Sequence, residues 1–172
     1  MTDSSAPTTS ATRHWFSFPD PVNEVSARLV AAGVVVLCTT LLVTGWYWLT
    51  AVLAYGFLAR VLTGPRLSPL GRAVTGIVTP RLSLDPRWTP GPPKRFAQGI
   101  GATLSTAAAL VWFGLGAAVP TVVLVSMILI AASLEAAFGF CLGCRIFALL
   151  MRIGVVPESA CEACNNLDLR RA

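Results

Sequence analysis

Four long apolar runs dominate the sequence, and a chain built this way needs lipid as its solvent. The first spans roughly Leu29–Gly45, the second Trp46–Leu62 and the third Phe96–Leu115; the fourth begins near Pro120 and continues to about Leu150. An α-helix rises about 1.5 Å per residue, so about 20 apolar residues cross the hydrocarbon core of a bilayer. Of the 172 residues 55% are hydrophobic and only 12% are charged. A soluble domain carries roughly a quarter charged residues. The charge is too sparse to cover a water-facing globule. The expected fold class is an all-α membrane protein with four transmembrane helices.

The first two runs total 34 residues from Leu29 to Leu62, short for two spans, so one long helix is the alternative there. Gly45 followed by Trp46, Tyr47 and Trp48 favours a tight hairpin whose aromatic turn sits at a membrane interface. The third and fourth runs are separated by Gly114–Pro120, a second break. Each pair of runs follows a Pro-containing approach, passes through a helix rich in small residues, turns, and ends near an Arg. The pattern predicts two tandem hairpins forming a pseudo-symmetric four-helix bundle. Small residues such as Gly99, Gly101, Ala102 and Ala107–Ala109 would let the backbones approach.

The organisation expected is a polar tail over 1–27, a membrane domain over 28–152 with a loop at 63–95, and a C-terminal tail over 153–172. The first 27 residues are Ser/Thr-rich with no apolar h-region, so they read as a disordered tail and not as a cleavable signal peptide. Trp15, Phe16 and Phe18 suit the headgroup level. The central loop holds Arg66, Arg72, Arg81, Arg87, Lys94 and Arg95 against a lone Asp85, and seven prolines. Within it Ser68 as N-cap and Pro69 at the first helical position start a short amphipathic helix, with Leu70, Val74, Ile77 and Val78 on one face. It is expected to lie on the membrane surface. Neither hairpin turn carries a basic residue, so the positive-inside rule makes the loop and both termini cytoplasmic. The protein then sits in the plasma (inner) membrane as a multi-pass protein. The net charge of +5 belongs to orientation rather than to nucleic-acid binding.

Cysteine is the residue type that carries chemistry. Cys141-Leu142-Gly143-Cys144 closes the fourth run, and Cys161-Glu162-Ala163-Cys164 follows after 16 residues. Cys38 stands alone in the first run and reads as a small buried hydrophobe. Two thiols two residues apart can close a disulfide, and a helix N-terminus or a nearby cation makes the first thiol the nucleophile. Equally, C-x2-C…x16…C-x2-C has the spacing of a four-thiolate zinc site formed by Cys141, Cys144, Cys161 and Cys164. Unrelated packing cysteines are the third alternative. A cytoplasmic setting keeps thiols reduced unless they turn over, which leaves redox cycling or metal. Gly139 and Gly143 either break the helix, so that it restarts beside the cysteines and Arg145, or pack a continuous helix against a neighbour.

Glu135 is the one acidic residue within a run, and an ionisable group at that depth costs about 2.5 kcal/mol or more. It lies six residues before Cys141 and is placed either to relay a thiol proton or as a neutral carboxyl bonded to backbone or Ser133. The single histidine, His14, is in the tail, so no His-based hydrolase or metal site is expected. No P-loop, dinucleotide fingerprint or paired-carboxylate motif is present.

Where Pro93-Lys94-Arg95-Phe96-Ala97-Gln98 introduces the third run and Phe138-Gly139-Phe140-Cys141-Leu142-Gly143-Cys144 closes the fourth, the chain resembles a bacterial, mainly actinobacterial, membrane family, the domain of unknown function 4395. The resemblance covers roughly residues 20–150. It implies interest in Cys141 and Cys144, and a setting near thioredoxin-like proteins and sulfurtransferases as partners. The tail pair Cys161/Cys164 lies beyond the stretch it covers, and the four-cysteine set is argued from this sequence's own spacing.

Three function classes follow. The first is a membrane thiol–disulfide or sulfur-handling protein, with Cys141 as nucleophile and Cys144 resolving. The second is a non-catalytic membrane component whose cysteines bind zinc or dock a partner. The third is a transporter of a small sulfur species, which would need oligomerisation at this chain length.

Overall fold

The computed structural model describes residues 22–64, 67–74, 76 and 88–157. In chain order these form β1 (Val22–Asn23), α1 (Glu24–Thr44), α2 (Leu49–Thr63), α3 (Pro69–Ala73), β2 (Trp88–Thr89), α4 (Gly91–Leu115), α5 (Ala118–Phe138) and α6 (Leu142–Arg152). Apart from the two-residue strands every described element is a helix. Helices α1, α4 and α5 are long and apolar enough to cross a membrane. Helix α2, also apolar, has 15 residues, a rise of roughly 22 Å, so three full-length candidates stand where the sequence predicts four.

Local chemistry sets the ends. Asn23 caps α1, its side chain accepting the Val25 N–H at 3.0 Å, and Glu24 in the first turn complements the helix dipole. Gly45 ends α1 in the left-handed region, and Trp46–Trp48 make the turn into α2, a hairpin and not one long helix. Ser68 caps α3 as its sequence predicts: its hydroxyl accepts the Gly71 N–H at 3.2 Å, with Pro69 in the first turn. Helix α4 starts at Gly91, five residues before its apolar run. Pro92 and Pro93 fall in its first turn, where their missing N–H groups have no helical partner to lose. Lys94 and Arg95 therefore belong to the helix and not to the preceding loop.

The fourth run is two helices. Gly139 takes φ 67° and donates its N–H to Glu135 O at 2.9 Å; a side chain there would be strained. The chain restarts at Leu142. Helix α6, with 11 residues, is too short to span. It buries Gly143 and Phe147 and exposes Leu142, Ile146 and Leu149 beside Arg145 and Arg152. Of the two readings open for Gly139 and Gly143, the break is the one formed.

The hairpins interlock. The first helix of each packs on the second helix of the other, α1 on α5 and α2 on α4; α4 also lies along α5, while α1 and α2 barely touch. Strands β1 and β2, each just ahead of its hairpin, pair antiparallel with Val22 opposite Thr89. The short helix after the second hairpin packs on that hairpin's first helix, α6 on α4, whereas α3 touches α1 and α2 alike. A strand and three helices thus occur twice in the same order, and the contacts of α1 with α5 and of α2 with α4 are reciprocal between the two hairpins. Between the hairpins Val34, Cys38, Leu41, Leu53, Phe57, Ala102, Ala108, Val125 and Ile128 form the core. Outward-facing Val36, Val43, Leu110, Phe113, Val119 and Ile130 present an apolar surface suited to lipid.

Candidate functional site

The chemistry gathers at the end of the bundle that carries the strands and α6. Cys141 occupies the N-cap of α6, and its Sγ accepts the Cys144 N–H at 3.3 Å. An N-cap and the residue three positions on lie one turn apart on the same side of a helix end, so the two sulfurs meet. Cys141 and Cys144 are paired as a disulfide, Cα–Cα 5.2 Å. The same backbone position in the first repeat is held by Ser68 over Gly71. The second repeat has placed sulfur where the first has a capping hydroxyl, and a second sulfur where the first has only hydrogen. Orphan N–H groups and the positive end of the helix dipole favour a thiolate at this place. Arg145 lies over the Phe140 ring, 5.2 Å to its centroid, one residue beyond Cys144.

Gly143 makes this position possible. A Cβ there would stand 2.5 Å from both Cα and Cβ of Ala97 on α4, so α6 rests on α4 without an intervening side chain.

Glu135, in the last turn of α5, accepts a hydrogen bond from Lys94 Nζ at 2.6 Å, and the two side chains are 16% and 9% exposed. The half-buried carboxylate is thus met by an ammonium 41 positions away in the chain. It is not bonded to Ser133, whose hydroxyl donates to Leu129 O at 2.7 Å. A second cation is close: Arg60, 6% exposed, donates Nε–H to Gly56 O at 3.0 Å and covers the Phe57 ring. Its guanidinium lies within electrostatic reach of Glu135. Arg28 on α1 donates to Ala136 O at 3.2 Å and Ala137 O at 2.8 Å, capping the C-terminus of α5 with a cation. Among the described residues two buried side-chain oxygens have no hydrogen-bond partner, Gln98 Oε1 and Thr106 Oγ1.

Two cavities of about 240 Å³ each adjoin the cysteines. The inner one has mainly apolar walls, among them Phe57, Leu104 and Ile128, together with Arg60, Gln98, Glu135 and Cys141. The outer one is bordered by the charged Glu24, Lys94 and Arg145, by Pro93 and Phe140, and by Cys144 and again Cys141. Cys141 lines both; Cys144 lines the outer one.

The structure thus brings Cys141, Cys144 and Glu135 to one end of the bundle, with Cys141 and Glu135 on a common cavity. Cys161 and Cys164 lie outside the described residues. Among those described, no group of three or more Cys, His, Asp or Glu is arranged to hold a metal. Cys38 is fully buried in the core. Sequence reasoning passed over Arg60, Lys94, Gln98 and Arg28. For Arg60 a signal existed: it is a lone charge inside the second apolar run, and the rule that picks out Glu135 applies to it as well.

No curated protein and no solved structure matches the chain. A family match extends over residues 22–152, from the first residue of β1 to the last of α6. The matched unit therefore coincides with the doubled strand-and-three-helix framework and includes the disulfide, the ion pair and both cavities. The chain belongs to the family described as domain of unknown function, DUF4395.

Proposed function

We propose that this is a multi-pass membrane thiol–disulfide exchange protein in which Cys141 is the exchanging sulfur and Cys144 the resolving one. The carrying observation is the cysteine pair at the N-terminus of α6, with the Cys141 sulfur accepting the Cys144 N–H. In the reduced protein the Cys141 thiolate attacks one sulfur of a partner disulfide, and the departing sulfur takes a proton. Cys144 then attacks Cys141 Sγ, closing the Cys141–Cys144 bond and releasing the second partner thiol. Two electrons pass to the partner; the reverse sequence reduces the pair. The outer cavity, bordered by charged groups and both cysteines, is the approach for a water-soluble dithiol such as a thioredoxin-like protein. The cluster of basic residues near this end supports placing it, with both termini, on the cytoplasmic side of the plasma membrane.

A second reading, zinc held by Cys141, Cys144, Cys161 and Cys164, rests on the 16-residue spacing. Purified full-length protein distinguishes the two. For exchange, the Cys141/Cys144 redox state follows a glutathione redox buffer, and Cys144→Ser accumulates a mixed glutathione disulfide at Cys141. For zinc, the thiols resist alkylation until a chelator is added, and each Cys→Ser change releases metal. Thiols that alkylate freely, without metal and without response to potential, contradict both.

A further inference from the structure

We infer that α6 lies in the head-group layer of the membrane and binds an anionic phospholipid on its exposed face. Arg145 and Arg152 take the phosphate, and a row of Leu and Ile side chains takes the acyl chains. Such a site holds whether or not the cysteines exchange.

Helix α6 has three faces. Gly143 rests on Ala97, and the Phe147 ring packs on Phe96 with 5.6 Å between centroids, so one face is spent on α4. Leu142, Ile146 and Leu149 follow one another at intervals of four and three residues, and Ile153 comes four residues later at the C-cap. At about 3.6 residues per turn these four stand in one row. All are exposed, from 37% at Leu142 to 61% at Ile153. Arg145 and Arg152, also exposed, form a second row beside the first.

With 11 residues α6 is too short to cross a bilayer, yet its apolar row is no isolated patch. Leu142 and Ile146 share a cavity wall with Met127 of α5, which is exposed on a helix long and apolar enough to span. The lipid-suited surface of α5 therefore runs on into α6. A short helix with an apolar row and Arg beside it is the form that lies in the interface plane, its apolar face sunk about 5–10 Å into the boundary between head groups and acyl chains.

The charge selects the lipid. No acidic residue occurs from Ala136 to Pro157. Arg28, Arg60 and Lys94 are engaged by backbone carbonyls or by Glu135. Arg145 lies over the Phe140 ring, and neither it nor Arg152 is paired with a carboxylate among the described residues. Their guanidinium groups are left for an outside anion, and a guanidinium matches a phosphate with paired N–H donors. A soluble anion would satisfy the Arg row and leave the apolar row in water. Helix α6 of a second copy would cover the apolar row but bring two Arg rows of like charge together. A phospholipid satisfies both rows. Because Cys141 caps α6 and its Sγ accepts the Cys144 N–H, a lipid that holds α6 also fixes the cysteine pair at the level of the head groups.

The test offers full-length protein in detergent equal amounts of phosphatidylglycerol and phosphatidylcholine of the same chain length, and native mass spectrometry counts the lipid retained. Phosphatidylglycerol is expected to be retained in preference. An Arg at the membrane surface is worth about fivefold in affinity, so Arg145→Gln and Arg152→Gln each lower the ratio of the two lipids about fivefold, and Arg145→Lys/Arg152→Lys keeps most of it. Leu149→Ser/Ile153→Ser lowers retention of both lipids. With unmodified protein in nanodiscs, adding phosphatidylglycerol to phosphatidylcholine slows amide hydrogen exchange over residues 142–153. Equal retention of the two lipids by wild type, a ratio unchanged in Arg145→Gln/Arg152→Gln, or exchange indifferent to phosphatidylglycerol overturns the site. Displacement of the lipid by excess glycerol phosphate assigns the Arg row to a soluble anion. A dimer dissolved by Leu149→Ser/Ile153→Ser assigns the apolar row to a second copy. Either result overturns the lipid.

Discussion

Replacing Glu135 by Gln removes the partner of Lys94 and leaves an ammonium among buried side chains. Lys94 is 7% exposed as a residue, and its Nζ is 2.6 Å from Glu135 Oε1. Breaking a buried ion pair from one side costs about 3–5 kcal/mol, because the surviving charge keeps its desolvation penalty. The pair lies near the end of the bundle rather than at its centre, so the lower end of that range, about 3 kcal/mol, is expected. By the scaling for chains of this size, about 2–4 °C per kcal/mol, the melting temperature falls by roughly 6–12 °C. Lys94→Met, which strands the carboxylate, shows a similar loss. The double variant Lys94→Met/Glu135→Leu recovers most of it, since an apolar pair of comparable volume is often neutral or stabilising relative to a buried salt bridge. Thermal unfolding of the four proteins in one detergent, followed by size exclusion, completes the cycle. A double variant that melts at the sum of the two single losses, or a Glu135→Gln protein that melts with wild type, refutes the coupling.

Two further substitutions test how the site is held. Gly143→Ala places a methyl group 2.5 Å from Ala97 Cα, whereas carbon atoms in contact stand at about 3.5–4.0 Å. Helix α6 must shift by about 1 Å, with a loss of about 1–3 kcal/mol and slower closure of the Cys141–Cys144 disulfide; melting and timed thiol alkylation read the two effects. Arg28→Ala uncaps Ala136 O and Ala137 O at the end of α5. Its cost is about 1–2 kcal/mol, partly recovered by Arg28→Lys, and an unchanged melting temperature would show that the cap contributes nothing.

The helices were readable because lipid-crossing segments announce themselves one residue at a time. Hydropathy located the apolar runs, Ser68-Pro69 announced α3, and Gly45 with its three aromatics announced a turn. Boundaries were less legible. The start of α4 was concealed because Pro92, Pro93, Lys94 and Arg95 look like loop and membrane-flank chemistry. The end of α5 was left open because Gly139 is equally suited to a left-handed turn and to close packing. In the site, Cys141 and Cys144 stood out by spacing and Glu135 by its rarity in an apolar run. Lys94, Arg60 and Gln98 did not, since their importance depends on which helix faces which.

That division has a physical cause. Transfer from water to lipid, helix capping and turn formation act over a few neighbouring residues, so the sequence by itself determined the membrane setting, the hairpins, the short capped helix and the presence of a closely spaced thiol pair. An ion pair 41 positions apart has no local signature. It forms because α2 packs on α4 and α1 on α5, an exchange between hairpins that brings the start of α4 against the end of α5. The same packing lays Gly143 on Ala97, puts Cys141 on the walls of two cavities and leaves Gln98 Oε1 unpartnered. Only the tertiary structure could decide these, because each depends on which segments meet, and at Gly143 a single methyl group would hold them apart.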